Sequence, residues 1–516
     1  MPKRSSALTL LYAATMFVSA SLLFWVQPMV AKMLLPLLGG TPAVWNTCML
    51  FFQAMLLAGY AYALVVSRWL SVRQQVAAHA LLLLSTALTF PVLISEATAR
   101  SVPREGDPSL WLLGSLLTTA GLPFFAVATN SPLLQKWFAG TRHASSRDPY
   151  FLYAASNAGS LLALLCYPLV AEPLLTLGGQ SRLWSAVYAL LVLLLAACAY
   201  ALLRQVKRDE IELRTRGVEG KDAPGEATGA EIDASHETTD DDQVETLSWR
   251  RRLRWIALAF VPSSLMLGVT TYFSTDIASL PLLWVIPLSL YLLTLIFAFA
   301  RRQPLKPRTL ARLLPGVALV FVLVYLSGAT QPTWLLILTH LFFFFVAALA
   351  CHAQLAEDRP PVRHLAEFYL LMSVGGVLGG LFNALVAPIV FNTTLEYPLV
   401  IVLACLLLPR AKGGGDDDGD TPRERWLDLG VPAAVALLTI SLALVVSRFE
   451  FDWVQGLALV TGVPLIVSYL FRRRPVRFAL ALGACMLGSS FHTGLTRETL
   501  LAERNFFGTL RVTREA

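Results

Sequence analysis

Leu183-Trp184-Ser185-Ala186-Val187-Tyr188-Ala189-Leu190-Leu191-Val192-Leu193-Leu194-Leu195-Ala196-Ala197-Cys198-Ala199-Tyr200-Ala201-Leu202-Leu203 runs without a charged residue until Arg204 ends it. As a helix it covers the ~30 Å of hydrocarbon in a bilayer and satisfies its backbone polar groups internally. Comparable stretches lie near 8–28, 45–66, 76–95, 110–129, 150–171 and 182–203. Others lie near 254–274, 282–300, 310–328, 333–353, 366–390 and 394–409, and a last group near 429–447, 453–471 and 476–492. The sequence predicts an all-α polytopic membrane protein with about 14–15 transmembrane helices.

Composition agrees. Hydrophobic residues make up 56% of the 516 and charged residues only 15%, against ~25% charged in soluble domains. The net charge of +7 is no nucleic-acid footprint. Its clusters, Arg250–Arg252 with Arg254 and Arg472–Arg474, flank apolar spans, where they set topology and meet anionic headgroups. The bilayer is therefore the expected partner and nucleic acid is excluded. Cys48, Cys166, Cys198, Cys351, Cys405 and Cys485 sit in apolar runs without metal-type spacing, so they read as small core residues and no metal site is expected. Lys3-Arg4 leads into a first span with no small-residue cleavage site behind it, so this is a membrane helix rather than a removable signal.

Residues 1–203 form a first six-helix half and 254–409 a second. Between them, 204–253 reads as an acidic, disordered linker, with thirteen acids against three bases from Asp209 to Glu245. A Gly/Asp linker, 410–428, precedes C-terminal membrane helices in 429–492 and a tail, 493–516. Basic residues alternate by side. Lys3/Arg4, Arg68/Arg73, Lys136/Arg142/Arg147, the 204–253 linker, Arg301/Arg302/Lys306/Arg308, Arg359/Arg363, Arg410/Lys412 and Arg472–Arg474 all fall on one face. By the positive-inside rule that face, with the N-terminus and the long linker, is cytoplasmic. Fifteen crossings would then leave Ala516 outside. Either one segment fails to cross, with 476–492 the weakest, or the tail is extracytoplasmic.

The halves carry a repeat. Tyr153-Ala-Ala-Ser-Asn157-Ala-Gly159-Ser160 and Tyr369-Leu-Leu-Met-Ser373-Val-Gly375-Gly376 match at an offset of 216, each opening the fifth span of its half. Six plus six spans about a long linker resembles the layout of the major facilitator superfamily, whose halves are parallel repeats. The loop after the second span departs from it. Gly59 and Arg68 are present, but the Asp of that superfamily's gate-bracing motif is not.

A narrower resemblance rests on Phe24-Trp-Val-Gln27-Pro28-Met-Val-Ala-Lys32-Met-Leu-Leu-Pro36-Leu-Leu-Gly39-Gly40-Thr-Pro42-Ala-Val-Trp45-Asn46 and its continuation to Gln53. Leu152–Ser160, Phe368–Asn383 and Arg504-Asn505-Phe506-Phe507-Gly508-Thr-Leu-Arg511-Val512 belong with it. Together they resemble the membrane portion of bacterial fused major-facilitator/spermidine-synthase proteins. The resemblance implies a bacterial inner membrane and an aminopropyltransferase domain or subunit as partner, with Arg504–Val512 as its opening strand. Residues to Ala516 hold no Gly-rich nucleotide fold with paired acids, so no catalytic residue, no cofactor and no turnover are expected of 1–516 alone. Gly413-Gly-Gly-Asp-Asp-Asp-Gly419-Asp420 mimics a donor-binding loop, but no strand delivers it and no helix follows as such loops require.

Charges at mid-bilayer are costly and functional when present. The scan finds no Asp or Glu near a span centre, which disfavours polycation transport. The candidates for a cavity or gate are Gln27, Lys32, Gln53, Asn130, Asn157, His340, Gln354 and Asn383. Each has a plainer reading. Asn157 could line a central cavity or make an interhelical hydrogen bond worth ~0.6 kcal/mol. His340 beside Phe342–Phe345 reads as a packing residue. Lys32, between Pro28 and Pro36, snorkels to the interface or lines a broken helix. Gly375/Gly379 and Gly376/Gly380 are small-xxx-small pairs, for close helix packing before any hinge. Three functions follow: the membrane domain of a spermidine-synthase-like fusion, a stand-alone facilitator-like transporter of a neutral or weakly charged small molecule whose identity stays unknown, or a non-transporting scaffold.

Overall fold

The computed structural model describes residues 2–141, 150–219, 247–277, 282–300, 303–360, 364–409, 422–449 and 451–515. Among the described residues fifteen helical units of more than ten residues run in order: α1 Pro2–Leu38, α2 Pro42–Trp69, α3 Val72–Ser85, α4 Ser109–Ala139, α5 Leu152–Leu174, α6 Leu177–Glu219, α7 Trp249–Thr275 and α8 Val285–Ala298. There follow α9 Pro307–Ser327, α10 Thr333–Glu357, α11 Ala366–Val390, α12 Glu396–Leu406, α13 Pro422–Arg448, α14 Trp453–Leu470 and α15 Pro475–Thr496. Eleven are long and apolar enough to cross a membrane and three are shorter apolar helices. The remaining one, α3, carries Gln75 and His79 on its buried side. The chain is an all-α polytopic membrane protein.

Glycine sets two close helix pairs. α5 packs along α1 and α11 along α7. A Cβ on Gly159 would strike the Phe17 carbonyl, and one on Gly375 the Ile256 carbonyl, so each pair touches backbone to backbone as a missing side chain permits. Gly379 tightens the second pair further, since a Cβ there would meet the Ser263 side chain and the Phe260 carbonyl. Both helices then widen into one π turn, Tyr167–Ala171 in α5 and Phe382–Val386 in α11. Pro173 and Pro388 lie just beyond, and a wide turn accommodates a residue with no N–H to donate. Across the middle, α2 packs on α11 and α8 on α5.

Near the basic loops, Arg251 pairs with Asp358 at 2.9 Å and Arg252 with Glu367 at 2.7 Å. Trp255 Nε1 donates to Asp358 at 2.8 Å. The start of α7 is thus tied to the ends of α10 and α11. The C-terminal helices join the bundle through α15 on α12 and α14 on α9. At that end Arg477 Nε reaches Asp428 at 2.5 Å, both side chains largely buried, and so binds α15 to α13.

Three expectations are corrected. The 204–253 segment is not all linker: α6 continues to Glu219, with Arg73 meeting Glu210 at 2.8 Å, and α7 starts at Trp249. Charged residues continue a helix readily once an apolar span has nucleated it. The 410–428 linker ends earlier, since α13 starts at Pro422, a favoured first position. Arg504–Val512 is not one opening strand, because a turn at Phe506-Phe507 divides it. Arg497–Asn505 pairs antiparallel with Gly508–Glu515, Asn505 opposite Gly508. Residues 220–246 and the Gly413–Asp420 run lie outside the described residues.

The weakest of the expected spans, 476–492, is a helix that runs from one end of the bundle to the other, although its apolar part, Pro475–Ser490, falls among the shorter apolar helices. α15 has 22 residues, about 33 Å at 1.5 Å per residue. Its first turn sits with Arg477 among the α13 acids, and the hairpin after its far end rests on the loop before α12. The tail therefore lies at the end of the bundle away from the basic loops.

Candidate functional site

A cavity of about 200 Å³ lies between α1, α2, α4 and α5 on one side and α7, α8 and α11 on the other. Its α1 lining runs from Met16 to Gln27, the middle of a helix spanning Pro2–Leu38, so it is near mid-depth. Hydrophobic walls come from Leu23, Phe24, Met49, Phe52, Phe124, Met266 and Leu292. Among them sit Ser19, Gln27, Gln53, Ser156, Asn157, Ser160 and Ser373, with four tyrosines, Tyr60, Tyr153, Tyr291 and Tyr369. Among the described residues no Asp, Glu, Lys, Arg or His lines it.

Three amide atoms here have no protein partner: Gln27 Oε1, Gln53 Oε1 and Asn157 Nδ2. Gln27 and Asn157 are 4% and 7% exposed. A buried amide atom left without a hydrogen bond costs about 1–3 kcal/mol. Here they supply two acceptors and one donor to whatever fills the space. Gln53 is held in place from its other end. Its Nε2 donates to Ser263 Oγ at 3.0 Å, and Ser263 donates to the Gly376 carbonyl at 3.0 Å, linking α2, α7 and α11. Gly380 admits the Gln53 head, since a Cβ there would overlap Oε1.

Aromatic pairs flank the cavity along the bundle axis. At the end bearing the basic loops Tyr153 stacks on Tyr369, centroids 5.9 Å apart at 21°, with Phe299 5.3 Å from Tyr153. At the other end Trp45 stacks on Trp284 at 3.4 Å and 13°, and Asn46 Nδ2 donates to Thr271 Oγ1 at 3.1 Å.

Of the residues singled out in the sequence, Gln27, Gln53, Asn157 and Gly376 meet at this cavity. The others are elsewhere. Asn130 is fully buried, its Oδ1 on His79 Nε2 at 2.8 Å and its Nδ2 on Ser19 at 2.9 Å. His340 lies in an aromatic cluster, stacked 4.2 Å over Tyr272 and bonded to Tyr397 OH at 3.1 Å. Gln354 accepts from Arg254 at 3.1 Å. Lys32 forms an ion pair with Glu172 across α1 and α5, both about a third exposed or less. Asn383 donates to Ser264 at 2.6 Å and to the Gly379 carbonyl at 2.9 Å. The tyrosines are not among the candidates that the sequence singles out, although Tyr153 and Tyr369 head the repeated motif.

The fold and this site define a multi-pass α-helical membrane protein built around a central, uncharged cavity. No protein-family model and no curated protein matches the sequence. Among solved structures the chain is similar to the inward open conformation of the xylose transporter XylE from E. coli. That match is 13% identical with a TM-score of 0.47, and covers 80% of this chain and 98% of that one. It is also similar to the peptide transporter POT in complex with sulfate, at 15% identity and a TM-score of 0.47, covering 78% and 93%. None of these comparisons supports the spermidine-synthase half of the resemblance drawn from the sequence.

Proposed function

We propose that this chain is a facilitator-like transporter whose two six-helix halves, related by the 216-residue repeat, enclose a site for an uncharged small molecule. The observation that carries this is the cavity itself, near mid-depth, shared by both halves and lined by neutral polar and aromatic groups. A cation or anion placed there would lose its hydration with no countercharge, at a cost of several kcal/mol. An uncharged solute would instead satisfy Gln27, Gln53 and Asn157. The inward-facing surface is taken to be the basic end, in a bacterial inner membrane.

The test is uptake into proteoliposomes of labelled neutral sugars, neutral amides and spermidine. Uptake of a neutral solute that Asn157→Leu abolishes supports the reading. Uptake of spermidine alone sinks it.

The second reading, a membrane anchor for an aminopropyltransferase, keeps the support of the sequence resemblance. It fits less well with the hairpin at the end away from the basic loops, since a nucleoside donor would meet the opposite face.

A further inference from the structure

A second cavity, of about 160 Å³, sits at the end of the bundle away from the basic loops. Its floor is Asn46, Thr271 and Asn383, and its roof is the tail hairpin from Arg504 to Thr509. The floor includes the Asn46–Thr271 bond, so this space lies outward of the central cavity along the same axis.

The roof is latched. Arg504 reaches into the bundle and grips Glu396 with two hydrogen bonds, 2.7 and 3.0 Å, while its Nη1 also donates to the Thr393 carbonyl at 2.8 Å. The two side chains are only 9% and 3% exposed. A buried pair of this kind is costly to break from one side, because it strands a charge. The turn is preshaped for its place, with Asn505 Oδ1 accepting from the Phe507 and Gly508 amides at 2.9 and 3.0 Å. Bonding within the hairpin is local, and among the described residues it is held to the bundle by this latch together with the Phe506 ring, which is buried in the core.

The chemistry inside the space is specific. Arg504 directs both terminal nitrogens to Glu396 and Thr393, so its charge is already matched and offers little to an anionic ligand. The other charged group of the lining, Asp107, stands exposed to solvent at the rim and accepts from the Ser109 amide at 2.7 Å. Asn46 Oδ1, on a residue 5% exposed, has no protein partner, and it asks for a hydrogen-bond donor. Phe506 and Phe507 bring rings to the same space. A cavity of ~150 Å³ holds a benzene-sized molecule.

We propose that the hairpin Arg497–Glu515 is a lid, and that it closes an outer chamber binding a small uncharged solute with a donor group and an apolar ring or chain. The chamber precedes the central cavity on the path and so rests on the transport reading. Labelling and probe protection require no transport, so the two can fail separately.

Ala43 lines the chamber and makes none of the latch contacts, so Ala43→Cys provides a labelling site in the full chain. Cys166, which is half-buried, is replaced by Ser in the same protein. A membrane-impermeant maleimide should label the introduced thiol slowly with the latch intact. Adding Glu396→Gln should raise the rate at least about tenfold, since the latch opposes opening by more than the ~1.4 kcal/mol that this factor represents. The remaining cysteines, Cys48, Cys198, Cys351, Cys405 and Cys485, are buried and label only if the protein unfolds, which separates lid opening from misfolding. An unchanged rate in a folded sample overturns the lid. If Glu396→Gln does not fold, Arg504→Gln is read by the same criterion.

Occupancy is tested with three probes of one shape: benzamide, benzoate and benzylamine. Benzamide should slow labelling of the Ala43→Cys protein, and Asn46→Leu should remove that protection. Protection by none of the three, or by either charged probe as strongly as by benzamide, overturns the chamber as a site for uncharged solutes.

Discussion

Tyr153 and Tyr369 occupy matching positions of a 216-residue repeat, and their rings stack on each other with centroids 5.9 Å apart. Residues related by a repeat meet only near the axis that relates the two copies. The contact therefore marks the centre of the protein at the end bearing the basic loops, with the cavity directly behind it. Tyr60 of α2 and Tyr291 of α8 line the same cavity from the other two helices that join the halves.

The glycines that bring α5 to α1 and α11 to α7 should be intolerant of any side chain. Gly159→Ala and Gly375→Ala are each expected to cost about 1–3 kcal/mol, because the new methyl meets a backbone carbonyl that cannot step aside. Gly430 meets nothing within 4 Å, so Gly430→Ala should be neutral or better. Thermal unfolding in detergent reads all three, and equal melting of Gly159→Ala and the parent would contradict the backbone contact.

Two buried asparagines should behave oppositely. Asn130→Leu breaks the His79–Asn130–Ser19 chain and leaves partners unbonded, so it should lower stability by about 1–3 kcal/mol. Asn157→Leu removes an atom that has no protein partner. It should leave the melting temperature unchanged or raised while lowering solute binding. A loss of stability in both, with binding intact, would remove Asn157 from the site.

The Lys32–Glu172 pair predicts a split by charge. The pair is about a third exposed, so its static worth is only about 0–1 kcal/mol. Lys32→Arg should keep uptake and Lys32→Met should lose it if the pair holds α1 on α5 during opening. Equal uptake by both variants would leave Lys32 with interfacial anchoring alone.

A tail at the end of the bundle away from the basic loops predicts an extracytoplasmic residue 516. An alkaline phosphatase fused there should be active and a fluorescent protein dark. The reverse pattern would show that one helix does not cross.

The sequence by itself determined what a linear transfer energy can determine. The apolar runs between charged residues name helices, eleven of them long and apolar enough to cross a membrane while the run near 76–95 gives a helix that stops at Ser85, and the Tyr153 and Tyr369 motifs name the matching helices α5 and α11. It misjudged where α6 and α13 begin or end, because a helix extends into polar sequence once the apolar part has formed. Only the tertiary structure sorted Gln27, Gln53 and Asn157 into one cavity and sent Asn130, His340 and Gln354 to other partners. That sorting depends on how each helix is rotated about its axis, which contacts such as Gly159 on Phe17 and Gly375 on Ile256 fix between helices distant in sequence. The same holds for the tail. The resemblance announces a strand there, but the hairpin's seat over Asn46 depends on a buried charge pair, Arg504 on Glu396, and a buried ring, Phe506, that no local pattern contains.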